Sequence, residues 1–128
     1  MQAQPFIAVR DIQKSSRWYQ AVLGCEGGHG GSEYKQIVCK GRMVLQLHHW
    51  THTNTRAWEI KTQKPYGAVL WFRDNEFDGA IERANTLNAE RLEEPKMNPN
   101  ANHREFWLRG PDGYVVVIAG SNGDLGAP

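Results

Sequence analysis

The side chains able to do chemistry in this 128-residue chain gather in two stretches. One holds Gln46, His48, His49, Trp50 and His52; the other holds His103, Arg104, Glu105 and Trp107. Imidazoles and carboxylates bind divalent ions and move protons near neutral pH, which makes His48 and Glu105 the residues to test for catalysis. Alternate residues of a strand share a face, so Gln46, His48 and Trp50 point one way and His49 the other. His48 and His49 therefore cannot easily serve one ion in one pocket. A metal held by His48, His52 or His103 with Glu59 or Glu105 is one reading; rim histidines that hydrogen-bond locally or meet a partner subunit are the commoner one. An amide, an imidazole and an indole on one face suit an organic ligand with flat apolar surface and hydrogen-bonding groups. The plainer alternative is that Gln46 is an internally satisfied amide and Trp50 caps the sheet. Trp107 reads first as core and second as a stacking platform. Arg104 and Glu105 read first as surface charges where a strand begins.

Those residues must be positioned by strands and helices that the pattern also predicts. Phe6 to Val9 is a short apolar strand, and Asp11 offers a helix N-cap. Ile12, Ser16, Tyr19 and Leu23 then fall on one helical face that Gly24 ends. The glycine-rich run from Cys25 to Gly31 predicts a short, irregular or bulged strand. Tyr34 to Cys39 and Met43 to His49 follow as a hairpin joined across Lys40-Gly41-Arg42. From Trp50 to Lys64 the chain is polar and reads as a long connection. Tyr66 to Phe72 predicts a strand, Asp74 an N-cap, and Phe77, Ala80, Ile81, Ala84 and Leu87 the apolar face of a second helix. A strand around Leu92 to Met97 and an Asn-Pro turn lead to a last hairpin. Its arms flank Gly110-Pro111-Asp112-Gly113, where Pro presets φ and Asp-Gly tolerates φ > 0. The second arm, Tyr114 to Ala119, is almost wholly apolar and should be a central strand covered on both faces.

Both halves thus read β-α-β-β-β. Val9-Arg10-Asp11 opens the first helix as Phe72-Arg73-Asp74 opens the second, 63 residues later, which makes two copies of one module the economical reading. The expected fold class is α+β: two tandem βαβββ modules forming a partly open mixed-sheet barrel with a cleft inside. One domain of 128 residues would comprise module one (about 4–50), a linker (about 51–65), module two (about 66–120) and a frayed tail (121–128).

Composition bounds the partners. With 15 Lys+Arg against 14 Asp+Glu the formal net charge is +1, and the basic residues are spread out, so nothing points to nucleic acid or a membrane surface. No apolar run approaches the roughly 18 residues of a bilayer span, and no basic-then-apolar leader is present, so a cytoplasmic protein is expected. Cys25 and Cys39 do not form a Cys-x-x-Cys pair and are expected to be buried, reduced and inert.

The run from Phe6 to Gly24, apolar strand followed by Val9-Arg10-Asp11, Ser15-Ser16, Trp18-Tyr19 and Leu23-Gly24, resembles the opening of vicinal oxygen chelate proteins. The closing hairpin is similar to their Phe-x-x-Asp-Pro-Asp-Gly-x-x-x-Glu signature, with Gly110 in place of the first Asp. That superfamily includes glyoxalase I, bleomycin-resistance proteins, extradiol dioxygenases and fosfomycin-resistance enzymes. The resemblance spans roughly residues 4 to 120 and implies the fold but selects no function. Its enzymes hold a divalent metal at four positions, which fall here on Gln4 (or Pro5), Gln46, Ala68 (or Gly67) and Val117. None is a good ligand for zinc, nickel, iron or manganese.

The resemblance therefore implies a protein without a metal cofactor that binds a small organic molecule through Gln4, Gln46, His48, Trp50 and Trp107. A homodimer completing the cavity is expected with it. The alternatives are a metal-dependent lyase, isomerase or dioxygenase with displaced His and Glu ligands, and a metal-free isomerase or epimerase with His48 as base.

Overall fold

Among the described residues of the computed structural model, two four-stranded mixed sheets, each with one helix and neither closed on itself, repeat the same strand order. The structure describes residues 1–49, 68–100 and 102–121. The predicted linker, with Trp50, His52, Glu59 and Gly67, lies outside the described residues, as does the tail beyond Ser121. The chain divides into two compact units, Met1–Lys64 and Pro65–Pro128. The βαβββ modules and the α+β class expected from the pattern are those observed.

The first unit runs β1 (Phe6–Val9), α1 (Ile12–Leu23), β2 (Glu26–Gly30), β3 (Tyr34–Cys39) and β4 (Arg42–His49). Its sheet order is β1-β4-β3-β2, with β1 parallel to β4 and the other pairs antiparallel. Asp11 caps α1 by accepting a hydrogen bond from the Lys14 N–H at 3.0 Å, which satisfies one of the helix's free donors. Gly24 ends the helix in the left-handed region at φ 65°, a conformation that costs a residue without Cβ little. Ile7, Val9, Ile12, Tyr19, Val22, Ile37, Leu45 and Leu47 are buried. The alternation along β4 puts Leu45 and Leu47 on the α1 side and Gln46 and His48 on the face turned away from α1. The predicted irregularity of β2 appears as a register shift between Gly27 and Gly30. At Gly30, φ is 134° and any Cβ would lie 2.1 Å from the Tyr34 carbonyl oxygen, so only glycine lets the two strands approach there.

The second unit runs β5 (Leu70–Arg73), α2 (Phe77–Leu87), β6 (Glu90–Asn98), β7 (His103–Arg109) and β8 (Val115–Ala119), in the order β5-β8-β7-β6. β8 is a central strand, and Val116 to Ala119 are buried as its apolar run predicted. The β7–β8 turn holds Asp112 at φ 63° and Gly113 at φ 87°, the positive values that Asp and Gly tolerate. Pro95 sits in β6, an edge strand, where a missing ladder donor is tolerated. Asp74 is not the N-cap that the spacing predicts. The helix begins three residues later, with Glu76 at the cap making no side-chain hydrogen bond. Asp74 instead accepts from the Glu76 N–H at 2.8 Å and pairs with Arg83 at 2.6 Å, because a carboxylate two residues before a backbone donor closes a local turn in place of a helix cap. The buried stripe of α2 is Phe77, Ala80 and Ala84, narrower than expected, with Leu87 exposed.

Cys25 and Cys39 are free thiols but half-buried, not fully buried as expected. They lie at the ends of α1 and β3, where the chain leaves the core. Among the described residues no helix is long and apolar enough to cross a membrane.

Candidate functional site

Each sheet packs one face against its helix, and Gln46, His48, His103, Glu105 and Trp107 lie on the other face, whereas Arg104 lies on the helix side with its guanidinium 4.6 Å from the centre of the Phe77 ring. The two faces turned away from the helices differ in chemistry.

On the first sheet, register sets Phe6 and Gln36 on either side of Gln46, and Ala8 and Tyr34 on either side of His48. A directed chain of hydrogen bonds results. Gln36 Nε2 donates to the Tyr34 hydroxyl at 3.1 Å, Tyr34 donates to Gln46 Oε1 at 2.9 Å, and Gln46 Nε2 donates to the Gln4 carbonyl oxygen at 2.9 Å. Both polar ends of Gln46 are therefore satisfied within the unit, although the residue is half-buried. Gln4 contributes its backbone carbonyl there. The His48 ring lies 4.3 Å from the Phe6 ring and 4.8 Å, edge-on, from Tyr34. Partial burial among these rings pushes its imidazole below the usual histidine value, so it is neutral at pH 7.

On the second sheet the centre is a buried carboxylate. Glu105, 3 % exposed, accepts from His103 Nε2 at 3.0 Å and Asn98 Nδ2 at 2.8 Å on Oε1, and from the Trp107 indole N–H at 2.6 Å on Oε2. Burial pushes this carboxyl up, but the hydrogen bonds from Trp107, Asn98 and His103, with the charge of His103, outweigh it. The net effect holds Glu105 below the ordinary carboxylate range. Trp71 on β5 is 46 % exposed, and its ring lies 5.5 Å from that of His103.

Glu105 is thus not the surface charge that its place at a strand start suggests. The register Asn98↔His103 brings the Asn98 amide from β6 beside it, and His103 and Trp107, two residues away on its own strand, supply the other two donors. Trp107 is half-buried, and its indole serves as a donor to that carboxylate. Trp50 and His52 lie outside the described residues. Sequence reasoning missed Phe6, Tyr34 and Gln36 as neighbours of Gln46 and His48, and Asn98 and Trp71 as neighbours of the His103–Glu105 pair. Alternation within β3 and β5 was the available signal for Tyr34, Gln36 and Trp71. Asn98 carried none, since its role depends on cross-strand register.

Register also relates the two faces. Ala8 pairs with His48, and Trp71, 63 residues after Ala8, pairs with Val117. The repeat thereby makes His48 the counterpart of Val117. Among the described residues no group of three or more His, Cys, Asp or Glu side chains is arranged to hold a metal ion.

The sequence matches the Glyoxalase/Bleomycin resistance protein/Dioxygenase superfamily over residues 2–118. No curated protein matches it. Solved structures similar to it include a protein of unknown function from Agrobacterium tumefaciens str. C58, at 21 % identity and TM-score 0.75, with 94 % of each chain covered. A lactoylglutathione lyase from Agrobacterium tumefaciens matches at 18 % identity and TM-score 0.69, covering 94 % of this chain and 93 % of its own. The fosfomycin resistance protein FosX from Listeria monocytogenes matches at 15 % identity and TM-score 0.69, again over 94 % of this chain and 93 % of its own. At such identities these likenesses speak for the fold alone.

Proposed function

The chain belongs to the glyoxalase/bleomycin resistance protein/dioxygenase superfamily, and we propose that it is a metal-independent member that binds a small organic molecule. The ligand's class follows from the side chains that each sheet offers by itself: on the first, the Phe6 and His48 rings beside the Tyr34 phenol and the Gln36 and Gln46 amides, and on the second, the Trp71 ring beside His103. The observation that carries this reading is the face of each sheet turned away from α1 or α2, where aromatic rings and satisfied polar groups alternate. A preorganised polar surface of this kind orients a ligand with little reordering.

Metal independence is supported by the donor chemistry. Gln46 spends its oxygen on Tyr34 and its nitrogen on Gln4, and Val117 offers an isopropyl group that is fully buried. Gln4 and Ala68 are neither imidazole nor carboxylate, and His48, which the repeat makes the counterpart of Val117, is a single imidazole outside any group of three or more His, Cys, Asp or Glu side chains among the described residues. These residues do not fit a divalent ion. A homodimer and a cytoplasmic setting go with the proposal.

The test is tryptophan fluorescence titrated with bleomycin, fosfomycin and quinoline, with and without EDTA, alongside elemental analysis of the purified protein. Saturable quenching by a flat aromatic compound, unchanged by EDTA, is the expected result. A stoichiometric metal whose removal abolishes binding would replace this reading with a metal-dependent lyase, isomerase or dioxygenase using displaced histidine and glutamate ligands.

A further inference from the structure

We propose that His103 is a general base on the face of the second sheet turned away from α2, with Glu105 as its positioning residue and Trp71 as the platform for a flat carbon acid. The proposal deepens the ligand-binding reading by naming the place where a bound molecule would react, and it rests on that reading for Trp71.

Three observations support it. Glu105 is ionised, buried and saturated with donors, so its contact with His103 Nε2 is a hydrogen bond donated by the ring. That bond selects the tautomer with the proton on Nε2 and leaves the Nδ1 lone pair as the basic site. Nδ1 has no hydrogen-bond partner among the described residues, and the His103 side chain, 11 % exposed, is not sealed from solvent. The Trp71 indole, 46 % exposed, then lies 5.5 Å from the His103 ring, centroid to centroid, and is tilted 55° to it, so a planar molecule laid on the exposed part of Trp71 borders that ring. A buried carboxylate, an oriented imidazole and a free lone pair beside a stacking surface are the parts that proton abstraction needs.

In the step itself Nδ1 takes a proton from a carbon made acidic by an electron-withdrawing neighbour. The C–H bond pair passes into the substrate as an enolate, and the imidazolium is held by Glu105 until it returns the proton to the substrate or to water. The charged groups placed around the pair on the same face are Glu105 itself, Lys96 opposite it on β6 with its partner Glu93, and Arg73 opposite Ala119 on β8.

The probe is 5-nitrobenzisoxazole, a flat carbon acid. Its C–H pair breaks the ring N–O bond to give a coloured cyanophenolate, so base catalysis is read directly. The wild-type protein is expected to turn it over roughly 100-fold faster than His103→Gln, the range of general-base catalysis. Glu105→Gln should keep partial activity while the ascending limb of its pH–rate profile moves to lower pH, a shift that a purely structural role would not produce. Trp71→Ala should raise KM with kcat nearly unchanged. Circular dichroism checks the fold of each variant, and His103→Asn replaces His103→Gln if the latter melts early. A folded His103 variant with wild-type turnover would overturn the assignment. Quenching of tryptophan fluorescence by the probe without turnover would remove the base but leave the ligand-binding reading standing; neither quenching nor turnover would remove both.

Discussion

The two units share a strand order, a helix between the first and second strands and an apolar alternation, yet they place opposite chemistry on the faces turned away from those helices. The first carries a neutral relay from Gln36 through Tyr34 and Gln46 to a backbone carbonyl. The second carries a buried anion tied down by three donors. Bulk is exchanged as well: a small Ala8 faces a large His48 in the first, and a large Trp71 faces a smaller Val117 in the second. The helix-facing side of each sheet is filled by apolar side chains, whereas the other side also takes polar groups, buried in the case of Glu105, as long as their hydrogen bonds are satisfied, so that side is where two copies of one module can diverge.

The largest expected effect separates the two polar centres. Glu105→Leu strands the Trp107 and Asn98 donors in a buried place and should cost about 3 kcal/mol in urea unfolding, against about 1 kcal/mol for Gln46→Leu on the more exposed relay. Equal losses would erase the distinction between a buried anion and a solvated relay. Acid sharpens the same contrast. Because the folded-state value of Glu105 is depressed, its stabilisation is complete above the ordinary glutamate value of about 4.3 and is lost as pH falls through the lower folded value. His48, whose value is also depressed, favours the fold above about 6.5 and loses that contribution as pH falls below it. Melting temperatures taken from pH 7 to pH 3 should therefore fall in two stages. Glu105→Gln should flatten the lower stage, and His48→Phe the upper.

Smaller effects follow. Tyr34→Phe removes the hydroxyl that links Gln36 to Gln46 and should cost about 1 kcal/mol, with the fold unchanged by circular dichroism. The helices give the smallest contrast. Asp11→Ala should cost about 1 kcal/mol because its carboxylate caps α1, while Glu76→Ala, which removes no cap bond from α2, should stay within about 0.5 kcal/mol. A Glu76 effect as large as that of Asp11 would mean that α2 depends on a cap it does not display.

Local chemistry alone settles much of the molecule. Alternation places Leu45 and Leu47 opposite Gln46 and His48, Asp11 and Gly24 bound α1, Gly-Pro-Asp-Gly makes the last turn, and the repeat of Val-Arg-Asp as Phe-Arg-Asp marks two modules. Each of these depends on residues a few positions apart, whose conformational preferences act within one element. The helix start after Asp74 escaped the same reasoning because a carboxylate can close a turn as readily as cap a helix. The polar centres were decided elsewhere. Tyr34 reaches Gln46 only through the β3–β4 register, and the Asn98 donor reaches Glu105 only because β6 sets it opposite His103, whereas His103 and Trp107 flank Glu105 on its own strand. A residue's type shows that it can accept a hydrogen bond; which donors arrive, and whether water is excluded when they do, depends on strands brought together by the fold.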